Sequence, residues 1–193
     1  MKQLDGTGMK RLHREWRRRT GGRLGLVLDD VEGPFNVGAI IRTAAALRVD
    51  DVWLSARTPE PTGTKVQKTA LGTDRYLTFH RAPDGAAAAS AARRAGYQVV
   101  AIELAEGALP LHEVPLGPDV CLVVGHEDRG CSPATLGACD AVAFLPQLGK
   151  VGSLNVATAT SIACYEVRRQ AWTATAGEGA AAGTHEPGPA DVQ

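Results

Sequence analysis

Most of the common signatures of function are missing from this chain of 193 residues. No apolar run approaches the ~20 residues of a membrane-spanning helix. The N-terminal stretch MKQLDGTGMKRLHREWRRR carries charge but has no apolar signal-peptide core. A protein that stays in the cytoplasm, away from membranes, is expected. Cys121, Cys131, Cys139 and Cys164 show no C-x-x-C spacing, and no histidine joins them in a zinc-finger pattern. Buried reduced thiols are therefore expected, in place of disulfides or metal ligands. The five histidines form no metal pair at helical spacing, so no metal site is expected. No G-x-G-x-x-G follows the first strand candidate, no G-x-S-x-G is present, and the glycines at 125 and 130 lack the Lys-Ser/Thr of a phosphate loop. There is no internal repeat.

Net charge is also absent, at +0, but its distribution is uneven. Residues 1–23 hold Lys2, Lys10, Arg11, Arg14, Arg17, Arg18, Arg19 and Arg23 against Asp5 and Glu15, whereas no Lys or Arg follows Gln170. The first segment reads as a basic, partly helical arm in which Arg11, Arg14, Arg17, Arg18 and Arg19 contact nucleic-acid phosphates; the alternative is a solvated helix face. Residues 171–193 read as a disordered tail, because Ala, Gly, Thr, Pro and Glu leave almost nothing to bury.

Between them lies one domain, 24–170, with enough hydrophobic residues (44% of the chain) for a real core. Apolar runs at 24–28, 51–55, 76–80, 97–103, 120–125 and 141–146 read as strands. Helical patterns alternate with them at 36–47 (Asn36 as N-cap), 84–96 (Gly96 as its stop), 132–140 (Ser132 as cap) and 153–170 (Ser153 and Asn155 in the first turn). Such alternation means an α/β domain with a mostly parallel sheet flanked by helices. Ligands of such sheets gather beyond the C-terminal strand ends. Three loops there, DDVEGPFN (29–36), GHEDRGCS (125–132) and PQLGKVGS (146–153), each combine glycine with polar residues and then start a helix. A small-molecule site is the reading, its chemistry left open by spacing alone.

In this order the segments NVGAIIRTA (36–44), LVVGHEDRG (122–130) and LPQLGKVGSLNVATA (145–159), followed by CYEVRRQ (164–170), resemble the SPOUT superfamily, in particular its SpoU-type, TrmH-like tRNA/rRNA 2′-O-ribose methyltransferases. The resemblance implies a SPOUT fold whose C-terminal part forms a deep trefoil knot. It also implies S-adenosyl-L-methionine as methyl donor, RNA as substrate and a homodimer built on the 153–170 helix. The family pattern carries catalytic roles to Asn36, Arg42, Glu127, Ser153 and Asn155, and a cofactor pocket to Leu104, Gly125, Leu145, Gly149, Ser153 and Leu154. The expected chemistry is alignment of a ribose hydroxyl with the methyl group, with Arg42 positioning a phosphate and polarising the hydroxyl, and Glu127 orienting. Replacing Gly125 by Val is expected to obstruct the ligand while leaving the fold largely intact. Asn36 and Ser153 have a plainer reading as helix caps, and Arg42 as a solvated helix residue. The chain departs from the family pattern at Gln147 (usually Met), Gly152 (often Gln) and Ala157 (often Ser). The terminal helices suit a tRNA substrate, with a D-loop guanosine favoured. Ribosomal RNA is the alternative, and a non-catalytic RNA-binding or assembly factor is the competing class.

Overall fold

A strand buried on both faces needs apolar side chains at every position, and the aliphatic runs of this chain meet that demand in one parallel sheet. The computed structural model describes residues 2–181. Its strands are β1 (Leu24–Asp29), β2 (Asp51–Leu54), β3 (Thr78–Arg81), β4 (Gln98–Ile102), β5 (Leu109–Pro110), β6 (Val120–Gly125) and β7 (Ala141–Phe144). They lie in the order β3-β2-β1-β6-β4-β7-β5, and every neighbouring pair is parallel. The helices are α1 (Gly6–Arg19), α2 (Pro34–Ala46), α3 (Thr64–Ala70), α4 (Gly85–Arg94), α5 (Pro133–Ala138) and α6 (Val156–Ala181).

Side chains of β1 and β6 alternate between two cores. Leu24, Leu26, Leu28, Leu122 and Val124 pack with Ile40 and Ile41 of α2 and with Ala163, Cys164 and Val167 of α6. Val27, Cys121 and Val123 pack on the other face with Ala88, Ala89 and Ala92 of α4. Truncating a fully buried leucine such as Leu26 to Ala costs about 2–5 kcal/mol through lost transfer energy and the cavity left behind. All four cysteines are free thiols, and burial pushes those of Cys139 and Cys164 up to about 12.

Several expected boundaries move. Helix α2 starts at Pro34, after Gly33, because proline at the first helical position has its φ already set. Asn36 is therefore inside the first turn and does not cap. Helix α6 starts at Val156, and its cap is Asn155, whose Oδ1 accepts from the N–H groups of Ala157 (3.0 Å) and Thr158 (3.2 Å). Ser153 stays in the loop. The same helix continues past 170 to Ala181, since alanine favours helix and no proline intervenes before Pro187. The remainder of the expected tail, 182–193, lies outside the described residues. Helix α3 is an addition to the expected elements. It has little apolar period of its own, and Gln67 holds it, donating to Pro61 O (2.7 Å) and Asp74 Oδ1 (3.0 Å) and accepting from Gly72 N (3.1 Å).

One buried cation ties the ends of these elements together. Arg168 of α6, 2% exposed, donates to the carbonyls of Leu47 (3.0 Å), Arg48 and Gly22 (3.3 Å). Two of these lie just past the C-terminus of α2, where carbonyls lack helical partners. Arg48 itself turns left-handed, at φ 54°.

Candidate active site

The loop leaving β1 is held before it reaches α2. Asp30 has a left-handed φ of 54°, and Ser55 fixes it by accepting from Asp30 N (2.6 Å) and donating to Asp30 Oδ1 (2.6 Å). That turn aims two backbone N–H groups at Glu127, which follows β6. Gly33 N donates to Oε1 at 2.8 Å and Glu32 N to Oε2 at 3.2 Å. A Cβ on Gly33 would stand 2.5 Å from Glu127 Oε1, so the carboxylate occupies the space of a side chain. Asn36 Nδ2 also donates to Oε1 (2.9 Å), and Asn36 Oδ1 accepts from Asn155 Nδ2 (3.0 Å). Glu127, Asn36, Asn155 and the first turn of α6 thus form one hydrogen-bonded chain across three loops. Burial pushes the Glu127 carboxyl up, but the Asn36 amide and the backbone N–H groups outweigh this and hold it below the ordinary glutamate value. It is ionised and fully engaged, which suits an orienting acceptor more than a general base.

Beside this chain, beyond the C-terminal ends of β4, β6 and β7, lies a cavity of about 290 Å³. Leu104, Gly125, Leu145, Ser153 and Leu154 line it, as does Glu127. The turn at its floor is closed by His126 N to Gly130 O (3.1 Å) and Gly130 N to His126 O (2.9 Å). Gly125 packs directly on that turn: a Cβ there would lie 2.2 Å from Cys131 N and 2.2 Å from Gly130 C. Its glycine serves the fold before any ligand. Gly149 does not line the cavity. It sits on the exposed outer part of the 146–153 loop, where a Cβ would meet only Val151 Cγ2, at 4.0 Å.

Arg42 stands apart from this cavity. Six residues along a helix of 3.6 per turn rotate a side chain by roughly 240° relative to Asn36. Arg42 is exposed and lines a separate groove of about 1320 Å³ together with Leu12, Trp16, Arg17, Tyr165 and Trp172. Helix α1 forms one wall of this groove. Asp5 caps it by accepting from Gly8 N (2.7 Å), and Arg17, Arg18 and Arg19 complement its C-terminal dipole. None of its residues is buried. Its anchor is Trp16 against Trp172 (ring centroids 4.9 Å apart), with Trp172 Nε1 donating to Thr20 Oγ1 (2.7 Å). Arg11, Arg14 and Arg18 are exposed, and Arg19 lies over the Trp16 ring at 4.7 Å.

Glu103 is a site residue that the sequence motifs leave out. Its Oε2 accepts from Cys131 N (2.9 Å) and its Oε1 from Leu104 N (3.1 Å), so it braces the cavity wall from β4. A signal for it exists: an acid closing a buried parallel strand, next to a residue already placed in the pocket. Glu32 is a second such residue; it ion-pairs with Arg57 (2.5 Å) and Arg129 (3.6 Å) at the rim. Among the described residues no helix is long and apolar enough to cross a membrane, and no three His, Cys, Asp or Glu side chains cluster so as to hold a metal ion.

Residues 23–165 match the SpoU rRNA Methylase family. The 23S rRNA (guanosine-2'-O-)-methyltransferase RlmB of Acinetobacter baylyi is 34% identical over 146 residues, which are 75% of this chain and 59% of that protein. The first curated relatives are longer, and the matched part spans 56–59% of their length. Among solved structures, the AdoMet-bound rRNA methyltransferase from Sinorhizobium meliloti aligns with a TM-score of 0.71 at 31% identity, over 78% of this chain and 57% of that one. The TrmH/SpoU tRNA-modifying enzyme of A. aeolicus aligns with a TM-score of 0.68 at 28% identity, over 86% and 87%.

Proposed function

The chain belongs to the SpoU rRNA methylase family, and from that premise we propose that it is an S-adenosylmethionine-dependent RNA 2′-O-ribose methyltransferase acting on tRNA. The observation that carries this reading is the convergence of Glu127, Asn36 and Asn155 beside a cavity lined by Leu104, Leu145, Ser153 and Leu154. The cavity fits the cofactor in kind: apolar walls for an adenine ring, and a volume near the lower end of small-ligand sites. When bound, the sulfonium supplies an electrophilic methyl group. The protein then has to hold a ribose hydroxyl in line and help its proton away. Ser153 and the Glu127–Asn36–Asn155 chain fix the walls around that point. Arg42 holds an RNA phosphate and polarises the hydroxyl, as a guanidinium is too weak a base to remove the proton outright.

The separation of Arg42 from the cavity supports a homodimer in which Arg42 of one subunit serves the cavity of the other. Ile162 (45% exposed) and Tyr165 (54%) leave the outer face of α6 open for an isologous contact. The basic arm, residues 1–23, precedes nearly all of the family match and belongs to the RNA side of the same reading. A trefoil knot in the C-terminal part of the sheet is part of the proposal as well; the seating of β6 between β1 and β4, with β7 beyond β4, supports it. A cytoplasmic location follows from the substrate.

Transfer RNA is favoured because the A. aeolicus tRNA-modifying enzyme is matched over nearly its whole length. The 23S rRNA methyltransferase at 34% identity favours ribosomal RNA as the second reading. Calorimetric titration with S-adenosylmethionine tests the cofactor. Nucleoside mass spectrometry after incubation with transcribed tRNA or rRNA fragments tests the substrate, and a 2′-O-methylated D-loop guanosine is the expected product. A folded protein that binds no cofactor at millimolar concentration would sink the enzyme reading.

A further inference from the structure

Gln147 follows Leu145 by two positions and lines the same cavity. Its side-chain oxygen Oε1 is buried and has no hydrogen-bond partner among the described residues. Buried amide oxygens in native proteins are nearly always paired, so an unpaired one on a cavity wall calls for a partner, which a ligand donor entering the cavity would supply. The donors around the cavity do not reach it. Arg129 turns to Glu32 at the rim (3.6 Å), and Leu145 and Leu154 are apolar. The carboxylates of Glu103 and Glu127 are acceptors already engaged with backbone N–H groups. The pattern resembled by the sequence usually has methionine here, whose thioether is only a weak acceptor.

S-adenosylmethionine carries three kinds of donor: the 6-amino group of adenine, the ribose hydroxyls and the α-ammonium. An ammonium is strongly hydrated and needs a counter-charge, which the carboxylates on the cavity lining (Glu103, Glu127, Asp128) supply and the neutral Gln147 amide does not. A ribose hydroxyl is both donor and acceptor, and needs partners of both kinds. The 6-amino group sits on the edge of a flat ring that suits the apolar part of the lining, to which Leu145 and Leu154 contribute. We propose that Gln147 Oε1 accepts a hydrogen bond from the 6-amino group of the bound adenine, so that Gln147 selects adenine among purines. This inference rests on the cofactor reading above.

The test compares S-adenosylhomocysteine with its 6-deamino analogue by calorimetry on the full chain, in the parent and in Gln147→Leu and Gln147→Met. The parent is expected to prefer the amino ligand roughly tenfold, the size of one buried hydrogen bond. Both variants are expected to bring the two affinities together. Gln147→Met preserves side-chain length and covers the case in which Gln147→Leu fails to fold. A parent that binds both ligands equally, or variants that keep the tenfold preference, overturns the inference while leaving the cofactor reading intact. A parent that binds neither ligand overturns both.

Discussion

The cavity beyond β4, β6 and β7 and the groove beneath α1 differ in what holds them open. Around the cavity, positions are set by backbone: Gly33, Glu32 and Cys131 donate from the main chain, and Gly125 and Gly33 have no room for a Cβ. On the α1 wall of the groove, positions are set by side chains that solvent reaches, on a helix with no buried residue and an anchor of two tryptophans. A backbone-lined site has little to rearrange when it binds, which suits a small ligand held in one conformation. A groove walled by arginines, Tyr76 and Trp16 adapts by rotating side chains, which suits a long, charged and variable partner. Substitutions should therefore be drastic and local at the cavity, and graded and salt-dependent at the groove.

The most severe break in that contrast is Gly125→Val. With 2.2 Å to backbone atoms on the opposite side of the turn, a side chain forces the 126–130 segment to move. Cofactor binding should vanish together with about 3–5 kcal/mol of stability, a fall of roughly 10 °C or more in melting temperature. This revises the expectation from sequence that the fold would survive the change. An unaltered melting temperature in thermal unfolding would show the turn to be as adaptable as the groove.

Arg42→Ala probes the groove's link to chemistry. Single-turnover methyl transfer should fall by roughly 10²–10³-fold, as when one preorganised donor is removed from a transition state. Cofactor affinity should not change, because Arg42 lines no part of the cavity. Wild-type transfer rates in this variant would remove Arg42 from the mechanism.

A smaller effect is expected from Arg11, Arg14 and Arg18 changed together to Ala, which leaves the Trp16–Trp172 anchor in place. Each lost phosphate contact should lower the slope of log affinity against log salt by roughly 0.7–0.9. Fluorescence titrations of RNA at several salt concentrations measure it, and an unchanged slope returns these arginines to a solvated face.

The smallest readout is the pH dependence of stability in Glu127→Gln. The folded-state value of Glu127 lies below its ordinary value, about 4.3 in an unfolded chain. Its charged form therefore contributes stability above that pH, and the contribution is lost as pH falls through the lower folded value. Melting temperatures followed from neutral to acid pH should decline less steeply in Glu127→Gln than in the parent. Identical acid limbs would mean the carboxylate's bonds add nothing to its charge state.

Much of the fold is legible in the sequence because buried parallel strands are nearly continuous aliphatic runs, and Leu24–Asp29 and Val120–Gly125 are such runs. The errors concern polar residues whose partners are far away in sequence. Asn36 reads as a cap when only its neighbours are considered, whereas its amide bonds Glu127, 91 positions on, and Asn155, 119 positions on. Ser153 is a fair candidate for the cap of the last helix by its neighbours alone, but Asn155 takes that place. Helix α3 is hard to see by periodicity because its seven residues bury only one i,i+4 pair, Val66 and Ala70, and Gln67 ties its ends down. The motifs do bring Asn36, Glu127, Ser153 and Asn155 to one end of the sheet. They say nothing of the direction in which Arg42 faces, which follows from helix rotation and from where α1 lies.

Arg168 has a consequence for how the chain is made. The carbonyls it satisfies belong to residues 22, 47 and 48, which leave the ribosome early, while their donor is separated from Leu47 by 121 positions. At about 5–20 residues per second, synthesis needs roughly 6–24 s to cover that distance. During that interval α2 and β1 exist without the guanidinium that closes their ends, and without the α6 side chains that cover Ile40 and Ile41. The apolar faces of Ile40 and Ile41 stay uncovered until α6 is made. Synthesis of α6 therefore has to precede full burial of α2 and β1.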